Sequence, residues 1–203
     1  MSLQVSILVF DEVEALDFAG PYEVFTTASR VHSRSHPGEA PLFSVACVSR
    51  DGHAITARAG LRVLPEFEFD NSPACDVLIV PGGVVDAAMT CKPTLAWISR
   101  NAPQAQITAS VCTGVFLLAQ CNVVTTHRVT THWEDVADLR ARFPQLAVQD
   151  DVRWVDSGPL VTSAGISAGM DMSLHLVARL GGHDLAECTA RQMDYRWQAH
   201  ATA

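Results

Sequence analysis

One of the six cysteines in this 203-residue chain stands where a nucleophile would be presented. In the stretch AQITASVCTGVFLLAQ, from Ala105 to Gln120, an apolar run breaks at Cys112 and resumes at once with helical spacing. The pattern predicts a short buried strand over Ile107 to Val111. It predicts a helix over Thr113 to Gln120, with Val115, Leu118 and Ala119 on its apolar face. A side chain on the sharp turn between such elements stands clear of the sheet. First-turn amides and the helix dipole favour an anion there, so Cys112 is expected to hold its thiolate more easily than the ordinary pKa of about 8.5 would allow. The alternative is a small buried thiol that packs as a hydrophobe.

Positioning that thiol requires a sheet, and the chain alternates strand-like and helix-like segments from end to end. Val5 to Phe10 is apolar but for Ser6, as a parallel strand buried on both faces should nearly be. A loop, DEVEALDFAG, follows it, and Pro21 fits the first turn of a helix running to about Arg30. Phe43 to Val48 is a second strand, and His53 to Leu64 alternates weakly around Gly60 like a small hairpin. Cys75 to Val80 is a third, ending in Pro81-Gly82-Gly83, and paired glycines at a strand end let backbone N–H groups approach a ligand closely. Pro93 to Asn101 and Glu134 to Arg142 read as helices, Val152 to Val155 and Leu160 to Thr162 as strands. Two helices, Ile166 to Leu180 and Asp184 to about Tyr195, come last. No linker or repeat divides the pattern, so a single domain over residues 1–203 is expected, an α/β flavodoxin-like doubly wound sheet with helices on both faces. Active sites of such sheets lie at the carboxyl ends of the strands. Asp17 with its loop, Gly82-Gly83 and Cys112 all fall there.

Composition narrows the function classes. Hydrophobic residues make up 48% of the chain, enough for a full core without staples. The formal charge of -8, with no Lys/Arg cluster, argues against a nucleic-acid surface and leaves small neutral or polar ligands as the better fit. The N-terminal MSLQVSILVFDEVEALDF lacks a basic leader segment, and its apolar run is too short to cross a membrane, so a cytoplasmic protein is expected. Without a CxxC pair, Cys47, Cys75, Cys91, Cys121 and Cys188 are expected to be structural free thiols. His32 and His36 have the spacing of helical metal ligands, but Pro37 and Gly38 place them at a loop with no third ligand, and no metal is expected there.

Five motifs taken together resemble the ThiJ/PfpI superfamily: LDFAGPYEVF from Leu16, VLIVPGG from Val77, SVCTG from Ser110, TTHW from Thr130 and VTSAGISAGMD from Val161. The branches most similar are the isocyanide hydratases and the sensor domains of AraC-type transcription regulators. The resemblance implies a class I glutamine amidotransferase-like α/β fold and makes Cys112 the nucleophile. Asp17 matches the acidic residue that hydrogen-bonds the cysteine and handles water and proton, and Thr113 lends its N–H to an anion. Gly82 and Gly83 match the loop closing the other side of the pocket. A carboxyl beside a thiol can serve as acid and base in turn if burial tunes it toward neutrality. Asp17 could equally cap the helix at Pro21. Thr113, where protease-like branches carry a histidine, disfavours a Cys-His hydrolase. His132 lies at a helix start beside Trp133, as a packed or capping residue or as a substrate contact. Gln120-Cys121-Asn122 replaces a glycine-rich turn, with Asn able to take the left-handed conformation.

Three functions fit these residues. One is a cofactor-independent hydratase adding water to a small electrophile such as an isocyanide to give an N-substituted formamide. Another is a non-catalytic small-molecule-binding domain related to regulator sensor domains, although such regulators carry a further helix-turn-helix region and no basic helix pair is present here. The third is a glyoxalase, deglycase or stress protein resting on a reactive cysteine. A homodimer is the expected assembly.

Overall fold

Alternation of apolar residues along the central strands decides where two layers of helix dock. In the computed structural model, which describes residues 2–201, Val77 and Ile79 join one hydrophobic core while Leu78 and Val80 join a second. All four are fully buried. A strand with no solvated face requires covering layers on both sides.

In chain order, β1 (Leu3–Leu8) leads by a turn into α1 (Ala15–Ser35) and then β2 (Phe43–Ser49). The short β3 (Ile55–Thr56) and β4 (Arg62–Val63) pair antiparallel as a small excursion, ahead of β5 (Phe67–Glu68) and β6 (Val77–Val80). Next come α2 (Asp86–Thr90), α3 (Lys92–Asn101), β7 (Ile107–Val111) and α4 (Gly114–Gln120). β8 (Arg128–Val129) pairs parallel with β9 (Ala147–Val148), which lies beyond α5 (Val136–Arg142). β10 (Trp154–Asp156), β11 (Leu160–Ser163), α6 (Ala168–Gly181) and α7 (His183–Gln192) complete the order. The main sheet runs β10-β11-β7-β6-β1-β2-β5, and every pairing in it is parallel except β10 with β11.

Val24 and Phe25 of α1 and Met172, Leu174 and Val177 of α6 cover one face with Val5, Ile7 and Ile79. Trp97 and Ile98 of α3, Leu117 of α4 and Leu139 of α5 cover the other with Leu8 and Leu78. Burying each such side chain stabilises the fold by about 1.5–3 kcal/mol, and truncating one to alanine costs about 2–5 kcal/mol because a cavity remains.

Several boundaries differ from the sequence expectation. Helix α1 begins at Ala15, not near Pro21, which lies inside it. Proline has no N–H, so its ring removes the donor that would have met the Asp17 carbonyl one turn back, yet the long apolar face of α1 carries the helix through. The same helix runs on to Ser35, which puts His32 in it and His36 at its C-cap, where the two imidazoles stack 4.0 Å apart. The expected strand from Cys75 starts at Val77. The short α2, Asp86–Thr90, forms where no helix was expected from the sequence. Asn122, after α4, has φ 54°, the left-handed conformation foreseen for it.

Candidate active site

Cys112 follows directly on β7 and two residues later α4 has begun. Its backbone is left-handed, with φ 56°, a conformation a non-glycine residue holds only when the surroundings impose it. Those surroundings are explicit. The Cys112 N–H reaches the carbonyls of Ser163 and Ala164 at 3.2 and 3.3 Å, and the Thr131 hydroxyl donates to the Cys112 carbonyl at 3.0 Å. Gly114 completes the turn, since a Cβ there would sit 2.0 Å from the Val80 carbonyl oxygen.

Asp17 comes to the thiol from the first turn of α1. The cap expected of it is absent: Glu14 occupies the N-cap position, and the Asp17 carboxyl turns inward, fully buried. The Gly82 N–H donates to Oδ2 at 3.1 Å, while Oδ1 has no hydrogen-bond partner among the described residues. Burial pushes the Asp17 pKa up to about 7, against the Gly82 amide, with the Glu14 charge adding to the rise and the neighbouring Cys112 thiol opposing it. The Cys112 thiol is itself raised to about 12, first by burial and then by the Asp17 charge, although the Thr113 N–H and hydroxyl favour its anion. The easily held thiolate expected from the helix start is thus reversed, because the sulfur is desolvated and faces a carboxylate. A negative charge on Asp17 disfavours the thiolate, so protonating Asp17 eases it.

Thr113 and the paired glycines form one clamp. The Gly83 N–H donates to the Thr113 hydroxyl at 2.9 Å, and that hydroxyl donates to the Gly83 carbonyl at 2.9 Å. Its hydroxyl is therefore tied to the loop, and of its two groups the Thr113 N–H does more to favour the sulfur anion. Gly83 has φ 130° and a Cβ there would meet the Glu12 carbonyl at 2.3 Å. Gly83 lines the cleft over Cys112; Gly82 lies behind it, holding Asp17.

That cleft, of about 300 Å³, is bounded by Cys112, Thr113, Gly83, Phe116, His132 and Glu14 among others. His132 caps the turn before α5, accepting from the Glu134 N–H at Nδ1 over 3.4 Å, and its ring packs so closely on Gly165 that a Cβ there would lie 2.1 Å from it. It is both cap and cleft wall. Asp135, Arg58 and Ile166 also reach the cleft. Arg58 comes from the β3–β4 excursion, and no sequence motif marked it. Asp135 could have been suspected from its place in the turn after His132. Among the described residues, His183, Asp184 and Glu187 could together approach a metal ion, but all three are exposed on α7 and none lines this cleft.

Residues 3–179 match the DJ-1/PfpI family. The chain belongs to that family. The ThiJ/PfpI resemblance carried by the five motifs agrees with it. An isonitrile hydratase of Pseudomonas putida is 35% identical over 96% of this chain and 79% of its own length. The HTH-type transcriptional regulator GbdR of Pseudomonas aeruginosa is 28% identical over 94% of this chain, which spans only 50% of that regulator. A ThiJ/PfpI family protein of Pseudomonas syringae superposes with a TM-score of 0.83 at 28% identity, over 96% of this chain and 76% of that one. No helix among the described residues is long and apolar enough to cross a membrane.

Proposed function

We propose that this DJ-1/PfpI protein hydrates a small electrophile, an isocyanide being the best candidate, with Cys112 as nucleophile and Asp17 as proton carrier. The observation that supports it most is the Asp17 carboxyl: fully buried, tuned to about 7, with one oxygen unpartnered and the thiol beside it. A group with a pKa near the working pH can both take and return a proton.

The cycle balances without a cofactor. Asp17 takes the thiol proton as the Cys112 sulfur attacks the terminal isocyanide carbon, and returns it to that carbon, giving a thioimidate in which C–S and C–H bonds have formed. Asp17 then deprotonates a water that adds to the same carbon. That proton passes to the nitrogen; the tetrahedral adduct then collapses, its hydroxyl becoming the carbonyl as the C–S bond breaks, the hydroxyl proton returns through Asp17 to the departing thiolate, and an N-substituted formamide leaves. The Thr113 N–H steadies negative charge at sulfur in the steps where it develops. Gly83 and His132 bound the space for the substrate, and the partner molecule is this small substrate.

The test is formamide production from a panel of isocyanides, set beside methylglyoxal consumption, for the wild-type protein and Cys112→Ala. Formamide that vanishes in Cys112→Ala supports the proposal; methylglyoxal consumption alone would move the assignment to glyoxalase or deglycase chemistry. The similarity to GbdR supports a second reading, a binding domain that holds its ligand in the same cleft without turnover. That outcome would appear as isocyanide binding with no product. Two copies are proposed to pair as a cytoplasmic homodimer, which a monomeric mass by light scattering at micromolar concentration would reject.

A further inference from the structure

Charges around the Cys112 cleft are unequal in a way that bears on what enters it. Glu14, Asp86, Glu134, Asp135 and Asp138 line it, against two arginines. Both arginines are already engaged: Arg58 lies 3.4 Å from Glu14, and Arg142 lies 3.0 Å from Asp138. Asp86, Glu134 and Asp135 remain, and besides Cys112 the other titratable group lining the cleft among the described residues is His132, whose Nδ1 is 3.5 Å from Asp135 and 3.7 Å from Glu134. Below them Asp17 keeps an unpartnered oxygen, fully buried, beside the thiol.

We infer that the electrophile this cleft selects carries a cationic group, such as an ammonium, on the end remote from the carbon that Cys112 attacks. The inference rests on the proposed reaction and names its substrate class. The neutral isocyanide carbon goes to the sulfur at the floor, and the cation faces the carboxylates of Glu134, Asp135 and Asp86 that line the cleft without an arginine partner. Burial first, and then the adjacent Glu134 and Asp138 charges, hold the Asp135 carboxyl above the usual range, with His132 opposing them. A bound cation would relieve this, and a bound anion would worsen it. Clefts lined by one sign of charge concentrate the opposite ion by about tenfold or more at low salt. These carboxylates are partly exposed, so the preference must weaken as salt screens it. Because the cation sits away from the bonds that change, selection acts through KM with kcat little changed.

The test compares three isocyanides of matched chain length, ending in a dimethylamino group that is charged at pH 7, a methyl group or a carboxylate. At low salt kcat/KM should fall in that order, by about tenfold at each step, with the difference in KM. At about 0.5 M salt the spread should shrink to a few-fold. The Asp86→Asn, Glu134→Gln double variant should narrow it at low salt as well. Equal kcat/KM for all three, or a preference for the carboxylate, overturns the inference while leaving the hydratase proposal standing. Should none of the three be turned over, the hydratase proposal fails and a second measurement decides the charge preference alone. In a Cys91→Ala background, the rates at which Cys112 is modified by trimethylammonium-bearing and sulfonate-bearing methanethiosulfonates are each normalised to free cysteine. A cationic reagent favoured by about tenfold, and less so in the double variant, sustains the cation preference. Equal normalised rates, or a faster anionic reagent, end it.

Discussion

Cys112 and Cys91 both stand just ahead of a helix, and their thiols are driven in opposite directions. Cys91 is the N-cap of α3, with an ordinary φ of -77°, and remains partly exposed. Burial works against its anion, but the Thr94 hydroxyl and N–H and the Arg50 guanidinium together prevail and its pKa falls. Cys112 has the left-handed backbone, deeper burial and a carboxylate for a neighbour, and its pKa rises to about 12. A helix start alone therefore does not make an acidic thiol; the charge beside the sulfur and the water around it decide. Cys91, expected to be a structural thiol, is the one of the two whose anion its surroundings ease. Cys112 is the one whose anion its surroundings resist, which suits the proposed role of a nucleophile that reacts only when substrate and Asp17 are both in place.

The comparison can be broken most severely at the turns themselves. Gly114→Ala puts a Cβ against the backbone carbonyl of Val80, which has no room to yield. A loss of about 3 kcal/mol or more is expected, seen as a large drop in melting temperature or as insoluble protein. A melt within a few degrees of wild type would show that the elbow is not the rigid device described.

Asp17→Asn comes next. If Asp17 carries the proton, isocyanide turnover falls by about a hundredfold or more with the fold intact, and Asp17→Glu, whose longer arm misplaces the carboxyl, lies between the two. Full turnover in a folded Asn variant ends the acid/base assignment. The same substitution has a stability signature. Asp17 titrates near 3.8 when unfolded and about 7 when folded, so between those values the folded state keeps a proton that the unfolded state has lost. Stability from this group therefore declines as pH rises from about 4 to about 7 and is level above, a change on the order of 4 kcal/mol. In denaturant titrations across that range, Asp17→Asn should lack this component of the slope; an unchanged slope would mean that Asp17 is not the buried acid.

Smaller effects separate the two thiols directly. Limiting iodoacetamide at pH 7.5, followed by peptide mapping, should label Cys91 before Cys112, and Arg50→Ala should slow Cys91 by roughly three- to tenfold as the thiolate fraction drops. Labelling of Cys112 first would overturn the contrast. Least of all should Pro93→Ala matter: proline in the first turn of α3 gives up no hydrogen bond, and the expected cost is under about 1 kcal/mol. A loss as large as that of Gly114→Ala would mean that both helix starts are equally constrained.

What the sequence determined by itself was local and periodic. The mainly apolar runs of β1, β6 and β7 identified buried strands, and the cysteine interrupting one such run, followed by Thr113-Gly114, identified the elbow. Five motifs in order identified the family. Where a terminal residue or short element lies depends on contacts far along the chain, and these were not legible: α1 begins before Pro21 because Asp17 folds inward to the Gly82 amide, 65 positions away, and α2 forms without a pattern to announce it. The chemistry of the site was still less so. Nothing in the spacing of Asp17, Gly83, Cys112 and Asp135 tells that desolvation and a neighbouring carboxylate would outweigh the helix start, that the Thr113 hydroxyl would be spent on Gly83, or that Arg58 and Arg142 would arrive already paired. Burial and charge separation are properties of the assembled molecule, since a residue's dielectric surroundings are built by segments remote in sequence, and only the tertiary structure decided them.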